Sequence, residues 1–151
     1  MARVLILGGT SEASALAHAL VDRPDLSVIL SLAGRTESPR RPVIAHRIGG
    51  FGGVAGLRTY LRDEHITGVI DATHPFAAQM TRHAADACAA LDLPRLVFTR
   101  PAWRAGEGDQ WHLVDTVDHA VEALGAEPRR VFLTVGRLSL PAFRRAPQHH
   151  Y

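Results

Sequence analysis

Residues 5–14 read LILGGTSEAS: an apolar run closed by two glycines, then two hydroxyl residues, a glutamate and the start of an alanine-rich stretch. An uninterrupted apolar run ending in glycine is the pattern of a strand buried on both faces. Downstream, Ala13, Leu16, Ala17, Leu20 and Val21 recur at helical spacing until Pro24 stops them. The stretch therefore predicts strand, tight turn and helix. That unit decides the fold.

The same alternation runs along the chain. LSVILSL (26–32) reads as a second strand, ended by the turn AGRTESP. A proline- and arginine-rich loop leads to AHRIGGFGG, and Val54, Leu57 and Leu61 carry a second helix. TGVIDAT (67–73) is a third strand, followed by a helix lined by Met80, Ala84, Cys88 and Leu91 and by the strand PRLVFTR (94–100). Beyond PAWRAGEGDQ the rhythm resumes with WHLVDT, a helix on Val117, Ala120, Val121 and Leu124, and a strand RRVFLTV (129–135). Strands separated by helices of about 10–15 residues imply right-handed crossovers and a parallel sheet. The expected fold is α/β, a doubly wound, mainly parallel, Rossmann-like sheet with the start of a second α/β domain. The expected boundaries are 1–127 and 128–151, because RRVFLTVGRLSLPAF opens a new strand–turn–helix unit shortly before the chain stops.

Composition narrows the function classes. At 151 residues, 46% apolar and 21% charged, the chain can bury one ordinary core. No apolar run approaches the roughly 18 residues of a membrane span, and no small-residue cleavage site follows the opening apolar run. A lone cysteine, Cys88, excludes an internal disulfide and fits a reducing cytoplasm. All 17 basic residues are arginine, the net charge is only +2, and aromatics are 6%, which argues against a nucleic-acid surface. The nine histidines form no H-x-x-x-H or Cys/His pair, so no metal site is expected.

In parallel α/β sheets, ligands bind beyond the carboxyl ends of the strands, near a topological switch point. Four loops carry chemistry there. The first, Gly8, Gly9, Thr10, Ser11, Glu12 and Ala13, is a partial dinucleotide fingerprint with Gly, Thr and Ala at positions 8, 10 and 13. Its hydroxyls and the free N–H groups of the following helix suit phosphate oxygens. The second places Arg35 and Thr36 where NAD enzymes carry an acid for the ribose 2′-hydroxyl. An arginine there accommodates the 2′-phosphate of NADP, so NADPH is the expected cofactor; Arg40 and Arg41 are further candidates. The third, GGFGG (49–53), offers Gly50, Gly52 and Gly53 for close backbone approach to a ligand. The fourth, DATHPFA (71–77), brings Thr73, His74 and Pro75 to a strand end; His74 is a candidate proton donor or ribose contact. A short nucleotide-sugar epimerase or reductase is disfavoured, because its Tyr-x-x-x-Lys pair needs a lysine.

Taken together, ILGGTSEA, GRT, GGFGGVAGLRTYL, VIDATHPFA and FLTVGR, in this order, resemble the precorrin-6A reductase family (CobK/CbiJ-type) of cobalamin biosynthesis. The resemblance implies NADPH-dependent reduction of a double bond of the tetrapyrrole precorrin-6A to give precorrin-6B. A related branch acts on the cobalt-containing substrate, and a non-catalytic NADPH-binding module is the other alternative. Family members have about two α/β domains with the substrate between them, so the chain matches the NADPH-binding domain and the beginning of the substrate-side one. On this reading Gly8–Ala13 hold the pyrophosphate and Arg35 and Thr36 the 2′-phosphate, while the glycine loop and Thr73–Pro75 border the cofactor. Gly136 and Arg137 are candidates for the substrate's carboxylates. No nucleic-acid or membrane partner is expected; other corrin-pathway enzymes are candidate partners.

Overall fold

The computed structural model describes residues 1–34 and 44–151. These divide into two compact units, Met1–Ala102 and Trp103–Tyr151. The boundary expected at 127 falls inside the second unit.

The first unit alternates strand and helix. Its elements are β1 (Ala2–Leu7), α1 (Ser11–Leu20), β2 (Leu26–Leu32), β3 (His46–Ile48), α2 (Gly53–Asp63), β4 (Gly68–Asp71), α3 (Ala78–Ala89) and β5 (Arg95–Val97). The sheet order is β3-β2-β1-β4-β5 and every pairing is parallel. β1 is central, running beside β2 from Ala2↔Leu26 to Leu7↔Ser31 and beside β4 from Val4↔Gly68 to Leu7↔Asp71. The chain steps outward through β2 and β3, then returns to the other side of β1. The switch point therefore lies between the ends of β1 and β4.

The pleat of β1 explains its unbroken apolar run. Leu5 and Leu7 point into one core with Ile29, Leu57, Leu61, Val69 and Cys88. Ile6 points the other way, onto Ala13, Ala17, Val28, Leu30 and Ala72. Helices cover both faces, so Leu5, Ile6 and Leu7 are buried whichever way they point. Burial pushes the Cys88 thiol pKa up. β5 is shorter than the expected 94–100, because β4 offers it only three partners, Val69, Ile70 and Asp71.

The second unit departs from the expected pattern. α4 (Val117–Ala123) starts where the Thr116 hydroxyl accepts the His119 N–H at 3.1 Å, and a 3-10 helix, interrupted by Pro141, spans Arg137–Arg145. Val121, Phe143 and Ala146 form its small core. The strand expected over 129–135 is absent, and WHLVDT forms no strand either. Arg130 makes a single bridge to His150, closed by Val131 N–H to the His150 carbonyl and His150 N–H to the Arg129 carbonyl, each at 2.8 Å. A strand needs a neighbouring extended backbone, and here that neighbour is one residue long. Among the described residues, no helix is long and apolar enough to cross a membrane.

Candidate functional site

A cleft of about 610 Å³ opens beyond the carboxyl ends of the first unit's central strands. Its walls come from the β1 turn (Gly8, Gly9), the β2 end (Ser31), the glycine loop (Gly49–Gly53), and the segment after β4 with the first turns of α3. The three glycine-containing or strand-end loops picked out by the sequence around residues 8, 50 and 74 therefore meet at one place.

Close packing fixes the β1 turn. A Cβ on Gly8 would stand 2.7 Å from Leu30 Cδ1 and 3.3 Å from the Ser31 carbonyl oxygen, so a side chain there would push the Leu30 methyl aside and crowd β2. Gly9 follows with φ +117°, a conformation that side chains rarely tolerate. A Cβ at Gly9, Gly49, Gly50, Gly52 or Gly53 would meet nothing within 4 Å. The cleft is thus walled by bare main chain with open space before it, as a ligand's close approach to backbone requires.

Thr10 has a different task from the one its position suggests. Its hydroxyl accepts the Ala13 N–H at 3.0 Å, capping α1, and donates to the Ala72 carbonyl at 2.9 Å. Both capacities are engaged, and the bond to Ala72 ties the β1 turn to the loop after β4. Thr10→Ala should cost about 1–2 kcal/mol, a lost cap plus an orphaned carbonyl, whereas Thr10→Ser should keep most of it. Chemical denaturation of both variants checks this; equal losses would remove the hydroxyl from the account.

Beside the turn, the Ser11 hydroxyl donates to Glu12 Oε2 at 3.0 Å. The Glu12 backbone N–H, then Ser11, hold the Glu12 carboxyl below its usual range. Glu12 Oε1 lies 3.9 Å from Arg100 Nη1, and Arg100 Nη2 lies 3.4 Å from His74 Nε2. The Glu12 carboxylate is therefore held at the start of α1, with Arg100 beside it. Ala13 is fully buried under the turn.

After β4, Asp71 organises the loop. Its Oδ1 accepts the Thr73 N–H at 3.2 Å and the Thr73 hydroxyl at 2.7 Å, and the side chain is 1% exposed. His74 and Pro75 are exposed. His74 Nδ1 accepts the Phe76 N–H at 3.2 Å, which in the neutral ring leaves the proton on Nε2, the nitrogen nearer Arg100.

Arg35 and Thr36, with Arg40 and Arg41, lie outside the described residues. Gly136 and Arg137 belong to the second unit, where both are exposed and Arg137 begins the 3-10 helix. The sequence reading missed Ser31, Phe76, Met80 and His83, all of which line the cleft. Phe76 had a readable signal: a large apolar side chain in a strand-end loop behind a proline, here 91% exposed.

Residues 3–151 match the family described as Precorrin-6x reductase CbiJ/CobK. The chain belongs to that family. It is 50% identical over its whole length to a precorrin-6A reductase of Rhodobacter capsulatus, covering 60% of that protein. It is 48% identical over 145 residues to the Mycobacterium tuberculosis precorrin-6A reductase, covering 95% of this chain and 57% of that one. A cobalt-precorrin-6A reductase of Priestia megaterium is 26% identical over 141 residues, covering 93% of this chain and 54% of that one. A solved structure of a CobK precorrin-6A reductase superimposes with a TM-score of 0.94 at 50% identity, covering all of this chain and 60% of that one. The chain thus spans 54–60% of the length of these relatives.

Proposed function

We propose that this CbiJ/CobK family chain carries the NADPH-binding part of a reductase that converts precorrin-6A to precorrin-6B in cobalamin biosynthesis. The observation that carries the reading is the glycine-walled cleft at the β1/β4 switch point, whose bare backbone leaves room for a dinucleotide. Identity near 50% to precorrin-6A reductases, against 26% to the cobalt-precorrin enzyme, favours the cobalt-free substrate.

The residues fit the cofactor in a defined way. Because the Thr10 hydroxyl and the Ala13 N–H bond each other, the pyrophosphate would be held by the main-chain N–H groups of Gly9, Thr10 and Ser11, and by the Ser11 hydroxyl once it turns from Glu12. Gly8 sets the turn, and the Glu12 carboxylate, which accepts from Ser11 at the helix end, would swing toward Arg100 to admit an anion. Arg35 and Thr36 would take the 2′-phosphate, while Gly50, Gly52, Gly53, Thr73, His74 and Pro75 border the cofactor. When bound, NADPH supplies the hydride for the macrocycle's double bond. The chain's part is to fix the nicotinamide's orientation and shield it from water, which provides much of such catalysis. His74, exposed beside the cleft, is assigned to this border, and proton delivery is its other candidate role. Arg137, on the second unit, is assigned to a substrate carboxylate.

Both tryptophans, Trp103 and Trp111, lie in the second unit, so the reporter of choice is the fluorescence of the reduced nucleotide itself. NADPH should bind at least about tenfold more tightly than NADH, the worth of one charge-assisted phosphate contact, and Arg35→Ala should erase the difference. Binding of neither nucleotide overturns the reading. Equal binding of both by the unaltered chain removes Arg35 from its role. A non-catalytic module would bind NADPH but leave precorrin-6A unreduced when joined to the remainder of a full-length relative.

A further inference from the structure

Arg47, the middle residue of β3, lies outside the cleft lining and reaches two of its walls, the β2 end and the glycine loop. Nη1 donates to Ser31 Oγ and to the Gly49 carbonyl, each at 2.8 Å, and Nη2 donates to the Gly50 carbonyl at 2.9 Å. The guanidinium carbon lies 3.9 Å from the Phe51 ring centroid and 5.1 Å from that of Tyr60. Those two rings meet edge-on at 5.2 Å. Ser31, Gly49, Gly50 and Phe51 line the cleft; Arg47 does not.

Two chemical consequences follow from this grip. The Gly49 and Gly50 carbonyl oxygens are engaged by a cation, so they do not turn their negative ends toward an anionic ligand. Ser31 Oγ accepts from Arg47 and, among the described residues, its own hydrogen has no acceptor. Ser31 is 6% exposed and sits at the end of β2, so that O–H is a nearly buried donor waiting for a ligand oxygen. A planar fork that bonds three oxygens while stacking on a ring is particular to arginine; a lysine ammonium on a flexible stem reproduces neither the fork nor the stacking.

We propose that Arg47 is the positioning residue of this cleft, holding the glycine wall in place and presenting the Ser31 hydroxyl as a donor to an oxygen of the bound nucleotide. The proposal rests on the reading of the cleft as a nucleotide site, and its test separates the two. The full 151-residue chain and its Arg47→Met, Arg47→Lys and Ser31→Ala variants are titrated with NADPH. Each is also digested briefly with chymotrypsin without nucleotide, the cuts after Phe51, Leu57 and Tyr60 being resolved by mass.

Both Arg47 variants should bind NADPH about tenfold more weakly, the worth of a charged hydrogen-bond set, and should be cut after Phe51 about tenfold faster. Cutting within α2, after Leu57 and Tyr60, should be unchanged. Ser31→Ala should weaken binding severalfold and leave the Phe51 cut unchanged, a split that a merely structural role would not give. Restoration of both readouts by lysine, or acceleration at all three sites alike, overturns the positioning role. Ser31→Ala binding as tightly as the unaltered chain overturns the donor role. If the unaltered chain does not bind NADPH, the nucleotide reading fails, while the Phe51 cut still decides whether Arg47 holds the loop.

Discussion

Asp71→Ala is expected to lower the stability of the chain by about 3 kcal/mol, the low end of what breaking a buried charge pair costs. Asp71 ends β4 at the switch point with its side chain 1% exposed. Oδ1 is satisfied by two donors from Thr73. Oδ2 faces Arg95 Nη1 at 3.8 Å, and each of these two buried atoms has no hydrogen bond of its own. Their attraction is therefore through space, and each charge is the other's main compensation. Removing the carboxylate leaves the Arg95 cation short of a partner and frees the Thr73 loop from its anchor. Arg95 is 25% exposed, so water relieves part of the penalty, which is why the low end applies. Asp71→Asn, which keeps an oxygen for Thr73 but not the charge, should fall between. Urea unfolding measures both, and the Asp71→Ala/Arg95→Ala pair should recover part of the loss through coupling. A single-mutant cost below about 1 kcal/mol would show that the pair is not a charge pair in solution.

The second large effect runs against propensity. Gly56 lies inside α2, where alanine is ordinarily better by about 1 kcal/mol. A Cβ there would stand 1.7 Å from the Phe51 carbonyl oxygen and 2.8 Å from its carbonyl carbon. Main chain cannot rotate out of the way as a side-chain tip can, so the glycine loop itself must move. Overpacking of that kind costs about 1–3 kcal/mol or more, and here it outweighs the helix gain. Gly56→Ala should therefore destabilise by about 2 kcal/mol and displace Phe51 from the cleft wall, with a loss of NADPH binding beyond the loss of stability. Thr59→Ala, at an exposed position of the same helix, is the control and should change neither much. A stabilised Gly56→Ala would mean that the loop does not close over the helix as described.

These two residues also show what was legible in the sequence. β1, β2, α1, α2 and α3 were, because their signals are local: unbroken apolar runs for strands buried on both faces and Ala13/Ala17 or Leu57/Leu61 spacings for helix faces. The glycine loop and the loop of Thr73 and His74 were legible as places to look, because glycine and strand-end clusters are unusual, and the structure brings them to one cleft. Arg47 was not. Within a three-residue strand an arginine has no period to belong to, and its partner Ser31 lies 16 positions earlier. Thr10 was legible as a polar group in a phosphate-type turn, but its acceptor, Ala72, is 62 positions away, so its commitment to the fold was hidden. The segment 129–135 carries real strand propensity. Propensity states what a segment does beside a neighbour, and the neighbour here is the single residue His150.

The order of the sheet also bears on how the cleft comes into being. The seam between β1 and β4 joins groups such as Arg3 and Thr67, 64 positions apart, and no two paired strands are linked by a hairpin. Contacts of such long sequence separation bear the largest loop-closure entropy and form slowly. The glycine turn and the Thr73 loop face each other only after that seam has closed. A chain in which that seam is open lacks the facing walls of this cleft. Whatever it binds selects the finished domain, and each bound molecule adds its free energy to the native state alone.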